Sequence, residues 1–292
     1  MLLAVPNFSE GRDVGLIEGI STAFATGAAL LDTHSDPVHN RTVLTLSSPS
    51  ESLAGALVNG TRACAEAIDM RSHEGAHPCI GALDVCPVVW LRAGDREAAR
   101  AEALEAARGI TGEAHVPVFL YGELASDPSR QERAFFRAGG LADLHRRVGS
   151  GELRPDFGPA ELHPTAGATL VTARPPLAAF NVELEGAGLE ATREIADRLR
   201  ESGGGLPGVR ALGIDLGGGR TQVSTNVHDP IAVPLAEVIQ RVRELAAPYG
   251  ARPVSAEIVG LVPEASLDGL PEDLPLSGFD PARHVIERRV QV

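Results

Sequence analysis

The strongest constraint on the fold of this chain is the order in which apolar strands alternate with amphipathic helices. In the second half, residues 178–184 read as a strand, 189–202 as a helix, and 209–215 and 222–227 as two strands. A helix over 235–247 and a strand over 254–259 complete the series. This is β-α-β-β-α-β, the split βαβ pattern. The first half opens in the same order. Strands are expected over 2–5, 28–32, 42–46 and 83–91, and helices over 14–24 and 49–70. Ser50 or Ser52 is the expected N-cap of the second helix. Pro87 interrupts the last strand, which predicts a sheet edge or a bulge there. Beyond it follow a helix over 96–108, a strand over 116–121 and one or two helices within 129–148. A Gly/Pro-rich loop then spans 149–167, and a proline-rich tail closes the chain. The 292 residues suit about two domains, and Pro175-Pro176 stiffens the join between them. The expected fold is α/β (α+β), with two similar split-βαβ subdomains carrying mixed sheets side by side, residues 1–176 and 177–292.

Composition then removes classes of chemistry. All 26 basic residues are arginine and none is lysine. Schiff-base catalysis needs an amine, and the phosphate-binding P-loop needs its lysine. Arginine remains as a fixed, planar cation for carboxylates or phosphates. A net charge of −13 argues against nucleic acid as a partner. Cys64, Cys79 and Cys86 do not make a disulfide framework. The N-terminus lacks the pattern of a signal peptide, and no apolar run reaches the roughly 18 residues of a membrane span. The expectation is a cytoplasmic protein with no membrane partner.

Three motifs imitate known sites. His73-Glu74-Gly75-Ala76-His77 fits H-E-x-x-H, whose mechanism requires both histidines on one helical face. Gly75 inside the motif and Pro78 after it oppose a helix. A zinc hydrolase using His73, Glu74 and His77 is therefore a weak alternative, and no metal is expected. The run Gly213 to Gly219 resembles an ATPase phosphate loop, but reads more simply as a glycine-rich hairpin turn. Gly186-Ala187-Gly188 imitates a dinucleotide fingerprint without its context.

Polar residues crowd into several loops. Val5-Pro6-Asn7-Phe8-Ser9-Glu10-Gly11 follows the first strand, and His39-Asn40-Arg41-Thr42-Val43 enters another. His73 to Pro78 precedes Ile80-Gly81-Ala82-Leu83-Asp84-Val85-Cys86-Pro87. Arg154 to Pro159 and Leu162 to Ala168 fill the long loop. Loops on a rigid scaffold are where function concentrates. Together, in this order, these strings resemble the formiminotransferase domain of the glutamate formimidoyltransferase family.

The resemblance implies a central groove between two subdomains, with tetrahydrofolate as co-substrate. The implied reaction moves the formimino group of N-formimino-L-glutamate to N5 of tetrahydrofolate, in histidine degradation. His77 is the implied catalytic residue, because a group titrating near pH ~6.5 can both take and return a proton. The implied folate contacts are Gly158, Pro159, His163, Pro164, Thr165, Ala166, Gly167 and Gly208. Asn7, Asn40, Arg41, Arg154 and Arg174 are the expected substrate-binding residues, the arginines serving as carboxylate partners. A homodimer is implied by the family alone. One position departs from the family pattern. Cys79 stands where an arginine usually follows the catalytic His-Pro. That departure motivates two alternatives: an N-formylglutamate donor, or a non-catalytic folate-binding paralogue.

Overall fold

The computed structural model describes residues 1–48 and 53–290, so the N-cap expected at Ser50 or Ser52 lies outside the described residues. The chain divides into two units, Met1–Pro175 and Pro176–Val292.

The first unit runs β1 (Leu2–Ala4), β2 (Asn7–Phe8), α1 (Val14–Phe24), β3 (Ala29–Asp36), β4 (Arg41–Ser48), α2 (Leu53–Ala67) and β5 (Leu83–Trp90). It continues with α3 (Arg96–Gly109), β6 (Val118–Leu120), α4 (Arg133–Arg137), α5 (Gly140–Gly149) and β7 (Thr169–Arg174). Helix α1 starts where Asp13 accepts the Leu16 N–H at 3.0 Å, an N-cap bond that satisfies a donor left over at the helix start. Its buried Ile17, Ile20, Ser21 and Phe24 recur at helical spacing.

Across the sheet the strands lie β3, β4, β1/β2, β5, β7, β6, with β1 and β2 forming one interrupted strand between β4 and β5. Strands β5, β7 and β6 are mutually parallel, whereas β1 to β5 pair antiparallel. Helices α1, α2 and α3 pack on one face. A second cluster, with Phe119, Phe136, Leu144 and Leu170, brings α4 and α5 onto β6 and β7.

Two features differ from expectation. Strand β7 falls where the sequence predicts no element, between the 149–167 loop and the join at Pro175-Pro176, yet it is the buried strand between β5 and β6. A strand buried on both faces carries no alternation to announce it. Pro87 is not at an edge, because β5 has neighbours on both sides. The Val5 N–H donates to the Pro87 carbonyl at 3.0 Å, but proline has no N–H to return. The Asn7 side-chain amide donates to the Val5 carbonyl at 2.7 Å instead. A bulge does occur in β5, three residues earlier. Asn7 faces Val85 while Phe8 faces Leu83, which leaves Asp84 as the extra residue. A bulge of this kind re-aims a side chain.

The second unit contains β8 (Ala178–Glu185), α6 (Leu189–Leu199), β9 (Val209–Gly217), β10 (Arg220–Val227), α7 (Leu235–Ala246) and β11 (Arg252–Val259). Its tail adds β12 (Leu276–Ser277), α8 (Pro281–His284) and α9 (Ile286–Arg289). The strand order is β12, β11, β8, β10, β9, with β12 parallel to β11 and the rest antiparallel. Both sheets are therefore mixed, as expected. The phosphate-loop mimic is the β9–β10 hairpin turn, where Gly217, Gly218 and Gly219 all take positive φ, a conformation open chiefly to glycine.

Candidate active site

Strands β4, β5 and β7 point the same way, so the loops leading into them arrive at one end of the first unit's sheet. The loop leaving β2 starts there too. Backbone bonds tie these loops together. Ser9 N–H donates to Ala82 O at 2.9 Å, Ala76 N–H to Val38 O at 3.1 Å, and Met70 N–H to Thr165 O at 2.8 Å. Asn40 acts as a rivet between three loops. It accepts from the Gly11 N–H at 2.9 Å and donates to the Glu74 carbonyl at 3.0 Å. Gly75 has no room for a side chain, since a Cβ there would lie 2.4 Å from the His39 carbonyl oxygen.

The bulge puts the Asp84 carboxylate, which is fully buried, among cations. Arg41 Nη1 donates to Asp84 Oδ2 at 2.6 Å, and Arg137 Nη2 from α4 reaches the same oxygen at 2.5 Å. The other carboxylate oxygen accepts the Ile80 N–H at 2.9 Å. Burial pushes the Asp84 pKa up, but Arg137, Arg41 and the Ile80 N–H outweigh it and hold the group below the usual carboxylate range. The remaining guanidinium nitrogens of Arg41, Nε and Nη2, donate to Asn7 Oδ1 at 3.2 and 2.8 Å. Asn7 thus fixes Arg41 with its oxygen and repairs the Pro87 gap with its nitrogen.

Two further arginines join this cluster. Arg133 and Arg137 flank Phe136 at helical spacing on α4, and the Phe136 ring packs on Phe119 of β6, with centroids 5.2 Å apart. Both arginines therefore share the helix face that meets the sheet. Arg174 ends β7, and burial lowers its pKa to about 10 despite Tyr121, with Arg133 adding to the fall. Burial likewise lowers Arg133.

His77 lies in this cationic environment. Its Nδ1 is buried with no hydrogen-bond partner, and its ring centroid is 5.8 Å from that of His39. Burial first, then Arg41, Arg137, His39 and Arg133, hold its pKa well below the ordinary histidine value. The imidazole is thus a neutral base at neutral pH. The His39 Nδ1 is itself 3.6 Å from Asp36 Oδ2. His73 sits 3.4 Å from the Asn40 amide, as a buttress of the loop. Residues 73–77 form no helix, so the two histidines do not share the helical face that the H-E-x-x-H mechanism requires.

The expected folate loop is zipped against the residues that follow His77. Ala82 N–H donates to Ala166 O at 2.9 Å and Ala168 N–H to Ile80 O at 3.0 Å. Within it, His163 Nδ1 accepts the Ala166 N–H at 2.9 Å, and the His163 and Gly167 backbones exchange bonds of 2.9 and 3.0 Å. Gly158 and Pro159 are exposed, beside the residues entering β6. Arg154 is exposed, with its carbonyl taken by Arg130 at 3.3 Å and no contact joining it to the Asp84 cluster among the described residues. Gly208 lies in the second unit, in the turn entering β9.

His39 and Asp84 stand within the loop strings singled out in the sequence but carry no role there, and Arg133, Arg137 and Tyr121 are not singled out at all. A single acid inside the apolar run Leu83 to Val89 was the available signal for Asp84. The spacing Arg133-Ala134-Phe135-Phe136-Arg137 was the signal for the helix.

A neutral imidazole set among guanidinium groups and one buried carboxylate can accept a proton beside cations that attract anionic groups. Two family models match, the N-terminal subdomain of the formiminotransferase domain over residues 1–174 and the formiminotransferase domain over residues 179–269. The chain belongs to the formiminotransferase family. It is 34% identical to the glutamate formimidoyltransferase of Streptococcus pyogenes serotype M1, across 98% of this chain and 97% of that protein. Identity with the glutamate formimidoyltransferase of Thermoplasma acidophilum is 37%, across 98% and 96%. The formimidoyltransferase-cyclodeaminase of Rattus norvegicus is 38% identical across 90% of this chain and half of its own length.

Proposed function

We propose that this chain transfers the formimino group of N-formimino-L-glutamate to N5 of tetrahydrofolate, releasing L-glutamate, with His77 as general acid and base. The observation that carries this reading is the buried, neutral His77 among Arg41, Arg133 and Arg137, in a loop bonded to residues 163–167. His77 takes the proton that N5 loses as it attacks the amidine carbon. The same imidazole, now protonated and disfavoured by its cationic neighbours, returns that proton to the departing glutamate nitrogen. The arginine cluster attracts the carboxylates of the two substrates to this end of the sheet, and an arginine without an acid partner can add paired N–H groups that orient a carboxylate. Tetrahydrofolate enters as co-substrate, with residues 163–167 as its backbone contact and Gly158, Pro159 and Gly208 as further contacts. The enzyme works in the cytoplasm as a homodimer.

Replacing His77 by Ala should abolish formation of 5-formimidoyltetrahydrofolate while folate affinity persists. An active His77→Ala enzyme overturns the role. Cys79 supports a second reading, with N-formyl-L-glutamate as donor. Burial pushes its thiol up, so it is neutral where the family pattern has a cation, although Arg41 and Arg137 act on it from other elements. Competing the two donors in one assay separates the readings. Tight folate binding without transfer from either donor would mark a non-catalytic paralogue.

A further inference from the structure

We propose that Arg133 and Arg174 form a separate carboxylate subsite, with Tyr121 beside them, that takes a glutamyl carboxylate of a substrate. This rests on the formimino-transfer reading for the identity of its ligand, but not for its existence.

The placement follows from the backbone. Gly122 N–H donates to the Gln131 carbonyl at 3.1 Å, which ties the end of β6 to the approach of α4 two residues before Arg133. Thr172 Oγ1 donates to the Tyr121 carbonyl at 2.7 Å, and Arg174 lies two residues beyond Thr172 on the same face of β7. Those two bonds bring α4, the end of β6 and the end of β7 together, and Arg133 lies near enough to lower the pKa of Arg174.

What distinguishes these two arginines is that neither has an acid within ion-pair distance among the described residues; Asp84 acts on Arg133 only from farther away. Arg41 and Arg137 share Asp84. Among the described residues, neither Arg133 nor Arg174 has a carboxylate partner, and the one hydrogen bond of the Arg174 guanidinium goes to the Pro175 carbonyl at 2.9 Å. Both are partly buried. A charge taken out of water without a partner is costly, and in a chain of net charge −13 an acid could have been supplied anywhere. Two neighbouring guanidinium groups with no ion-pair partner are a socket for an anion. The planar fork of arginine matches a carboxylate through two parallel N–H bonds, and the Tyr121 hydroxyl adds a neutral donor.

Both substrates of the proposed reaction end in a glutamyl group, so the same chemistry has two sources. Arg133→Gln and Arg174→Gln variants, with Arg174→Lys as a charge-keeping control of folding, separate them. The KM of each substrate is measured at saturating levels of the other, and L-glutamate binding is measured by calorimetry. Loss of a charge-assisted bond should raise the KM of one substrate roughly 10- to 100-fold. A rise confined to the amino-acid donor assigns the subsite to that donor, and a rise confined to tetrahydrofolate monoglutamate assigns it to the folate tail. Unchanged KM values for both overturn the subsite. If the wild type transfers nothing, the reaction reading falls and calorimetry decides alone. L-glutamate binding lost in both Gln variants then supports the subsite, and wild type that does not bind it, or variants that bind it equally, overturn it.

Discussion

Strands β11, β8, β10 and β9 of the second unit repeat the order of β5, β1/β2, β4 and β3 in the first, yet the two sheets carry different electrostatics. In the second unit the arginine–acid pairs lie at the surface. Arg243 pairs with Asp273 at 2.8 Å, Arg252 with Glu185 at 2.7 Å and Arg210 with Glu201 at 2.7 Å. In the first unit one buried acid, Asp84, serves both Arg41 and Arg137, and among the described residues Arg133 and Arg174 have no ion-pair partner. The difference arises from what was added to the common frame. After β5 the first unit inserts α3, β6, α4, α5 and β7, and α4 delivers Arg133 and Arg137 to the sheet. A shared strand order therefore fixes the scaffold and leaves the chemistry to bulges and insertions.

The sharpest way to break this contrast is Asp84→Ala. It leaves Arg41 and Arg137 buried without an acid, and the first unit should lose about 3–5 kcal/mol of stability. Urea titration checks this, and a variant as stable as wild type would show that the cluster is solvated.

A smaller effect is expected from pH. The folded-state pKa of His77 is held below the unfolded value of about 6.5. Its contribution to stability is therefore complete above that pH and is lost as pH falls through the lowered folded value. The urea midpoint of the wild type should drop on acidification below about pH 6.5, and His77→Gln should flatten that part of the profile. Equal slopes in the two proteins would mean that His77 is not held neutral by the fold.

The smallest effect belongs to the second unit. Asp273→Ala removes the exposed partner of Arg243 and should leave the melting temperature unchanged within error, because exposed ion pairs contribute little. A clear loss would erase the contrast between the units.

Much of the scaffold was legible in the residues. The α1 limits predicted from spacing coincide with those observed, Val14 to Phe24, because an amphipathic stripe and an Asp13 cap are local signals. The second unit was legible for the same reason, with Phe180, Val182 and Leu184 alternating against Asn181 and Glu183 along β8. Strand β7 escaped because both its faces are buried. Pro87 misled because the Asn7 side-chain amide, two residues along the strand that carries Val5, supplies the missing donor to the Val5 carbonyl.

The sequence by itself determined the repeated βαββαβ frame, the absence of any lysine and the loop motifs that name the family. These depend on near neighbours and on residue type. Only the tertiary structure decided that Asp84 turns towards Arg41 and Arg137, that Asn40 rivets three loops, and that Arg133 and Arg174 have no ion-pair partner among the described residues. Those groups are separated by tens of residues along the chain, so their charges meet only when the bulge in β5 and the packing of α4 on the sheet bring them into one buried place.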